Sequence, residues 1–88
     1  MTKATELEKQ IKEVKESAAY KQIMQIVTAN KTVSARETEL HKAGFSYATF
    51  PMGSGGVGQI KEMKDHYRIQ VGYGVGKHNY AVAAILKK

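Results

Sequence analysis

The stretch that decides the fold runs from His66 to Leu86 and reads HYRIQVGYGVGKHNYAVAAIL. Two apolar runs flank a glycine-rich reversal at Gly74 to His78, a pattern typical of a β-hairpin. In the first run, from Tyr67 to Tyr73, aromatic and aliphatic residues alternate with polar residues and glycine. One face of this strand is therefore predicted to enter a core, while the other face, which carries Arg68, stays polar.

The second run of the hairpin differs from the first because it is apolar on both faces. It spans Tyr80 to Leu86 and contains three alanines that would allow close packing. A strand with two apolar faces is typical of the interior of a sheet. We therefore predict that it lies inside the sheet, with a strand over Phe45 to Phe50, ending at Pro51, on its other edge.

The segment over residues 57–65 has an ambiguous pattern. Val57, Ile60 and Met63 recur at every third position, which favours a helical turn. A strand over residues 57–62 is the alternative, because so short an apolar spacing does not distinguish the two.

The N-terminal segment is predicted to be helical. Thr5 and Glu8 form a capping box that opens the helix. An apolar stripe follows at spacings of four, three and four residues, and it consists of Leu7, Ile11, Val14 and Ala18. Such a stripe is the face that an amphipathic helix buries.

Beyond residue 18 the apolar positions move to the opposite side of the helix. Tyr20, Ile23 and Val27 belong to this second stripe, whereas the first stripe would continue into Lys21. Either the helix breaks near Ser17, a competent N-cap, or one continuous helix faces two partners. In the second case residues 1–17 would form a helical arm or self-association segment, with a second copy of the chain as the simplest partner.

A short second helix is predicted after a left-handed stop at Asn30. Ser34 and Glu37 form a capping box for it, and Leu40 is its large apolar anchor. Gly44 is placed to end it as the C′ residue. Residues 1–88 are thus predicted to form a single α+β domain, in which the helices pack on a three- to four-stranded antiparallel sheet ending in a C-terminal hairpin.

Composition excludes several classes of protein. The 88 residues include no cysteine, so there is neither a disulfide framework nor a thiolate metal site, and we expect a cytoplasmic location. The longest uncharged run, residues 43–60, contains five glycines and a proline, and we expect no membrane insertion.

The net charge of the chain is +6. Residues 1–44 hold eight basic and six acidic side chains, and residues 45–88 hold six basic and two acidic ones.

The glycine-rich segments are not expected to form a nucleotide site. Around Lys77, Val71 stands where a Walker loop needs glycine, and His78 replaces its Ser or Thr. The histidines are too far apart in sequence to suggest a metal set, and no cofactor is expected. We interpret the glycines as mobile loops that order on a partner, namely Gly53, Gly55, Gly56, Gly74 and Gly76.

The remaining candidate is a basic surface on the hairpin and the segment before it. Phosphate groups or an acidic partner could be bound by Lys61, Lys64, His66, Arg68 and Lys77. The plainer alternative is that these residues only solubilise an exposed sheet face. Tyr67 and Tyr73 are expected on the face opposite Arg68, in the core.

No nucleophile–base pattern is visible, so we predict a non-enzymatic binding protein that acts through protein–protein contacts. The profile would suit an accessory or inhibitory factor of a mobile element. The protein partner would contact the Leu7–Ala18 stripe, which also suggests a homodimer through the N-terminal helix. The alternative is a nucleic-acid-binding domain using the basic sheet face, and a small enzyme is the third reading.

Overall fold

The computed structural model describes residues 3–51, 55–74 and 80–88, with side chains from residues 5–51, 55–73 and 80–88. Within these ranges three helices precede four strands in the chain. Their bounds are α1 Lys3–Glu16, α2 Ala18–Ala29, α3 Val33–Lys42, β1 Ser46–Pro51, β2 Ile60–Glu62, β3 His66–Gly74 and β4 Tyr80–Lys87. The predicted α+β fold is confirmed, as is the C-terminal strand pair.

The strands form one antiparallel sheet in the order β1-β4-β3-β2. β4 lies between β1 and β3, which is the interior position that its two apolar faces predicted. The first strand lies beside the last of a three-strand meander, and this is a Greek-key arrangement. β1 and β2, which are consecutive in the chain, therefore lie at opposite edges of the sheet.

Of the two alternatives for residues 57–65, the structure contains the strand, β2, over Ile60–Glu62. β2 pairs with β3 so that Ile60 lies opposite Ile69. Before β2, the Gly58 N–H donates to the Gln70 carbonyl at 2.7 Å and the Gln70 N–H donates to the Gln59 carbonyl at 2.9 Å. The three-residue apolar spacing does not reflect a buried helix face, because Ile60 is buried whereas Val57 is 47% exposed.

A register shift in β3 overturns part of the predicted alternation. Gln70 lies opposite Ala83 but Gly72 lies opposite Val82, so Val71 is the extra residue of a bulge. Val71 is still buried, but the residues after it change face. Gln70 is buried instead of solvated, and Tyr73 is 45% exposed instead of buried in the core.

Ser17 breaks the N-terminal helical segment, as one of the two alternatives predicted. Its backbone is extended (φ −72°, ψ 152°), and its Oγ accepts from the Tyr20 N–H at 3.2 Å. The break turns α1 so that Ile11 and Val14 are half-buried against the core, while Leu7 is 36% exposed. Ala18 is exposed as well.

The predicted helix starts are wrong at α1 and α3. α1 already includes Lys3, so Thr5 lies within it rather than capping it. α3 is capped by Thr32, whose Oγ1 accepts from the Ala35 N–H at 3.2 Å, and Ser34 lies inside the first turn. Hydroxyl residues two positions apart compete for the cap, and the backbone entry angle decides between them.

The helix ends were predicted with mixed success. Gly44 follows the α3 cap with a φ of +91°, as expected of a C′ glycine. The Phe45 N–H donates to the Leu40 carbonyl and the Gly44 N–H to the His41 carbonyl, which is a Schellman motif. Asn30, however, is extended (φ −124°) rather than left-handed, and it caps α2 through its side chain to the Ile26 carbonyl at 2.9 Å.

The core lies between the helices and one face of the sheet. α2 and α3 contribute Ile23, Val27 and Leu40, and the sheet contributes aliphatic residues from β2, β3 and β4. The largest side chains with no exposed surface are Ile23, Leu40, Ile69, Val71 and Val82. In the described part of the chain, no helix combines the length and apolar character that a membrane crossing requires.

Candidate functional site

The sheet face turned away from the helices is the candidate site, and we call it the outer face. Cross-strand pairing defines it, because directly opposite residues project to the same side. Its members are Lys61 on β2, Arg68, Gln70 and Tyr73 on β3, Ala81, Ala83, Ile85 and Lys87 on β4, and Ser46, Ala48 and Phe50 on β1. Alanines form its floor, and the long side chains come from both flanking strands.

Arg68 occupies the middle of the outer face. Its guanidinium carbon lies 4.2 Å from the centroid of the Phe50 ring, so the side chain reaches across β4 to β1. Stacking on an aromatic face favours a cation by electrostatic attraction to the ring. Arg68 Nε is buried, and it has no hydrogen-bond partner in the part of the chain that the structure describes. A buried donor without a partner costs about 1–3 kcal/mol, so stability alone does not account for this arginine.

A second cation, Lys61, occupies the backbone position opposite Arg68 on the neighbouring strand. Lys61 on β2 is its cross-strand partner, and both side chains project from the outer face. The Arg68 guanidinium, however, extends away from β2 toward Phe50 on β1, so only the backbone positions of the two cations are directly opposite. At the same end of the face, Lys87 lies opposite His66. Three permanent cations therefore share the outer face, with Lys61 and Lys87 at one end and the Arg68 guanidinium extended across the sheet to Phe50.

Asp65, an acidic residue beside this cluster, forms a hydrogen bond with a histidine. The Nδ1 atom of His66 lies 2.6 Å from Oδ1 of Asp65, whose side chain is 86% exposed. The hydrogen bond from His66 holds the pKa of Asp65 below the ordinary value of an aspartate, and the charge of Lys87 acts in the same direction. Asp65 therefore stays ionised at neutral pH, at the rim of the outer face rather than on its floor.

The far end of the outer face is crossed by the connection from β1 to β2. The Gly55 carbonyl accepts two hydrogen bonds, one from Gln70 Nε2 and one from the Tyr73 hydroxyl, each at 3.0 Å. Both donors belong to the outer face, so the chain passes over it at Gly55. This contact explains why Gln70 is only 5% exposed, and it leaves the end that carries Lys61 and Lys87 uncovered by this connection.

The structure brings together some of the predicted basic residues. Lys61 and Arg68 share the outer face, and His66 lies at its end. Lys64 is exposed in the turn between β2 and β3, next to this cluster. Lys77 lies outside the described residues, so its predicted place in the group stays a prediction.

The predicted glycine loops are only partly described. Gly55, with a φ of +107°, lies over the outer face, and Gly56 is exposed next to it. Gly74 is the last residue of β3. Gly53 and Gly76 lie outside the described residues, and the predicted ordering of these loops on a partner stays a prediction.

Sequence reasoning missed Phe50, Tyr73 and Lys87 as members of the site. Phe50 was assigned to a strand, but 18 positions separate it from Arg68 and no local pattern joins them. Tyr73 was assigned to the core because a bulge has no reliable sequence signal. Only Lys87 could have been found from the sequence, because residues 85 and 87 of one strand project to the same face.

The described residues contain no group of three or more side chains arranged to hold a metal ion. Comparison with protein-family models, curated proteins and solved structures finds no match for this chain. Function therefore has to be inferred from the chemistry of the outer face.

Proposed function

We propose that this chain is a small, non-enzymatic cytoplasmic protein that binds single-stranded nucleic acid on its outer face. The observation that carries the proposal is that Lys61, Arg68 and Lys87 share the outer face, where the buried Nε of Arg68 has no hydrogen-bond partner among the described residues. Phosphate groups would supply the acceptor oxygens and the negative charge that these cations lack. Lys87 extends the same positive field along the end of the sheet.

Single-stranded ligands suit this face better than duplexes. Ala81 and Ala83 are buried beneath the longer side chains of this face, which include the aromatic rings of Phe50 and Tyr73. Each base stacked on an aromatic ring contributes about 1–3 kcal/mol, irrespective of sequence. A strand laid across the sheet could use both the cations and the rings.

The binding would carry little sequence specificity. Arg36 and Arg68 are the only arginines of the chain. Arg36 already donates to two backbone carbonyls inside the fold, those of Asn30 and Val71. Arg68 is left as the single guanidinium for base edges, so most of the affinity would come from phosphate contacts.

The test is a salt titration of binding to a labelled oligothymidylate of about ten nucleotides, within the site sizes of single-strand binders. We expect Lys61→Gln and Lys87→Gln each to weaken binding and to reduce the slope of log K against log salt by about 0.7. Lys12→Gln is the matched control, because it removes the same charge from an exposed position on α1.

Two outcomes would contradict the proposal. One is the absence of binding at low salt, where phosphate contacts are strongest. The other is an equal loss with Lys12→Gln, which would assign the effect to net charge rather than to the outer face. A duplex of the same length should bind more weakly than the single strand.

A protein partner is the second candidate, favoured by Leu7. This side chain is 36% exposed on α1, beyond the part of the stripe that contacts the core. An accessory or inhibitory factor that occupies a partner's surface would use it as an apolar anchor. The test is a pull-down from nuclease-treated lysate with this chain as the bait. If Leu7 anchors a protein partner, Leu7→Lys should abolish capture of one defined protein, whereas Lys61→Gln should leave that capture unchanged.

A further inference from the structure

One edge of the sheet lacks the features that normally prevent strands from pairing with other molecules. β1 is the edge strand next to β4, and its six residues, SYATFP, carry no charge. A quarter of the whole chain is charged. Exposed edge strands are usually protected by lysine, inward charges, bulges or extreme shortness, and of these devices β1 has only Pro51 at its end.

The opposite edge is protected. β2 has three residues, and two of them are the charged Lys61 and Glu62. β1, by contrast, is twice as long. In the part of the chain that the structure describes, its backbone has no hydrogen bond outside its ladder with β4.

We propose that β1 pairs with β1 of a second copy to form a dimer with a continuous eight-stranded sheet. A neutral strand offers no charge to select a foreign acidic or basic strand, whereas it meets its own copy without electrostatic repulsion at the edge. Antiparallel self-pairing is closed by a two-fold axis, so assembly stops at the dimer. Dimerisation does not depend on nucleic-acid binding.

The pleat and the proline select the register. A two-fold axis perpendicular to the sheet requires opposite residues to lie on the same face. Centring the axis on Ala48 pairs Ser46 with Phe50 of the second copy and Tyr47 with Thr49. Pro51, which has no N–H to donate, then falls outside the new ladder. Tyr47 is 42% exposed on the helix side of this edge and would gain a cross-strand contact.

The dimer would place both outer faces on the same side of the sheet. The Arg68 residues of the two copies would then lie on opposite sides of the two-fold axis. A single strand of nucleic acid could cross the basic ends of both copies. The two inferences stay separable, since Lys61→Gln should weaken nucleic-acid binding and leave the solution mass unchanged.

The experiment measures the solution mass of the full chain by sedimentation over concentrations up to about 1 mM, where even weak association is visible. We expect a concentration-dependent dimer. The double variant Tyr47→Lys with Thr49→Lys should weaken association at least about tenfold, because lysines would stand directly opposite each other. Gln25→Lys with Thr28→Lys is the matched control, since it adds two lysines at exposed positions on α2.

Amide hydrogen exchange of the unmodified chain gives a second measurement that does not depend on how the variants fold. Exchange in Ser46–Phe50 should slow as concentration rises. A monomer at all concentrations would overturn the proposal. So would a dimer that survives the double variant but is lost with Leu7→Lys, because that result assigns the contact to α1.

Discussion

Gly72 lies where the bulge in β3 brings the sheet closest to α3. Its φ is +154°, which residues with a side chain rarely adopt. A Cβ at this position would lie 2.9 Å from Nη1 of Arg36 and 3.1 Å from Cγ2 of Val33. Backbone conformation and space therefore both require glycine here.

We expect Gly72→Ala to lower the free energy of unfolding by about 2 kcal/mol, within the range for strained backbone positions. Urea denaturation measures it. Gly56→Ala is the control, because a Cβ there would have no atom within 4 Å, and its effect should stay within about 0.5 kcal/mol. Equal effects of the two substitutions would show that the close approach to α3 has no energetic weight.

Among the helices, the division between α1 and α2 has the largest consequence for the candidate surfaces. Ser17 accepts the Tyr20 N–H and its hydroxyl donates to the Val14 carbonyl at 2.6 Å. This residue both starts α2 and satisfies a carbonyl near the end of α1. The change in direction folds the middle of the apolar stripe back onto the core and leaves Leu7 exposed.

Ser17→Ala should destabilise the protein by about 1 kcal/mol, the usual cost of losing an N-cap. Ser17→Asp, which retains a cap acceptor, should restore most of that loss. Thr28→Ala is the comparison, because the exposed Thr28 hydroxyl only donates to the Met24 carbonyl within α2 and caps nothing. A similar effect of Ser17→Ala and Thr28→Ala, measured by thermal unfolding, would contradict the capping role.

Across the whole molecule, Arg36 joins layers that lie far apart in the chain. It belongs to α3, donates from Nε to the Asn30 carbonyl at 2.8 Å, and donates from Nη1 to the Val71 carbonyl in the bulge. The end of α2, the start of α3 and the irregular part of β3 thus share one cation. Tyr20 makes a second such link. Its hydroxyl donates to the Gly58 carbonyl at 3.1 Å, next to the edge strand β2.

Replacing Arg36 with Met should cost about 2–3 kcal/mol, because two carbonyls lose a charged donor while the aliphatic stem is largely kept. Lys31→Met removes the same charge at an exposed position and should change the stability by less than about 0.5 kcal/mol. If denaturant unfolding gave the two variants the same stability, the three-way link would be excluded as a stabilising element.

Local signals in the sequence determined the C′ glycine at Gly44 and the interior place of β4, and they identified a break at Ser17 as one of two alternatives, since each rests on neighbouring residues or on the polarity of one strand. They did not determine the bulge at Val71, because a bulge depends on the register with β4 and with the loop at Gly58. They also could not bring Phe50 to Arg68, because these residues meet only when β1 and β3 take opposite sides of β4. The alternating apolar and polar pattern was available from the sequence, but the outer face was decided by non-local strand pairing.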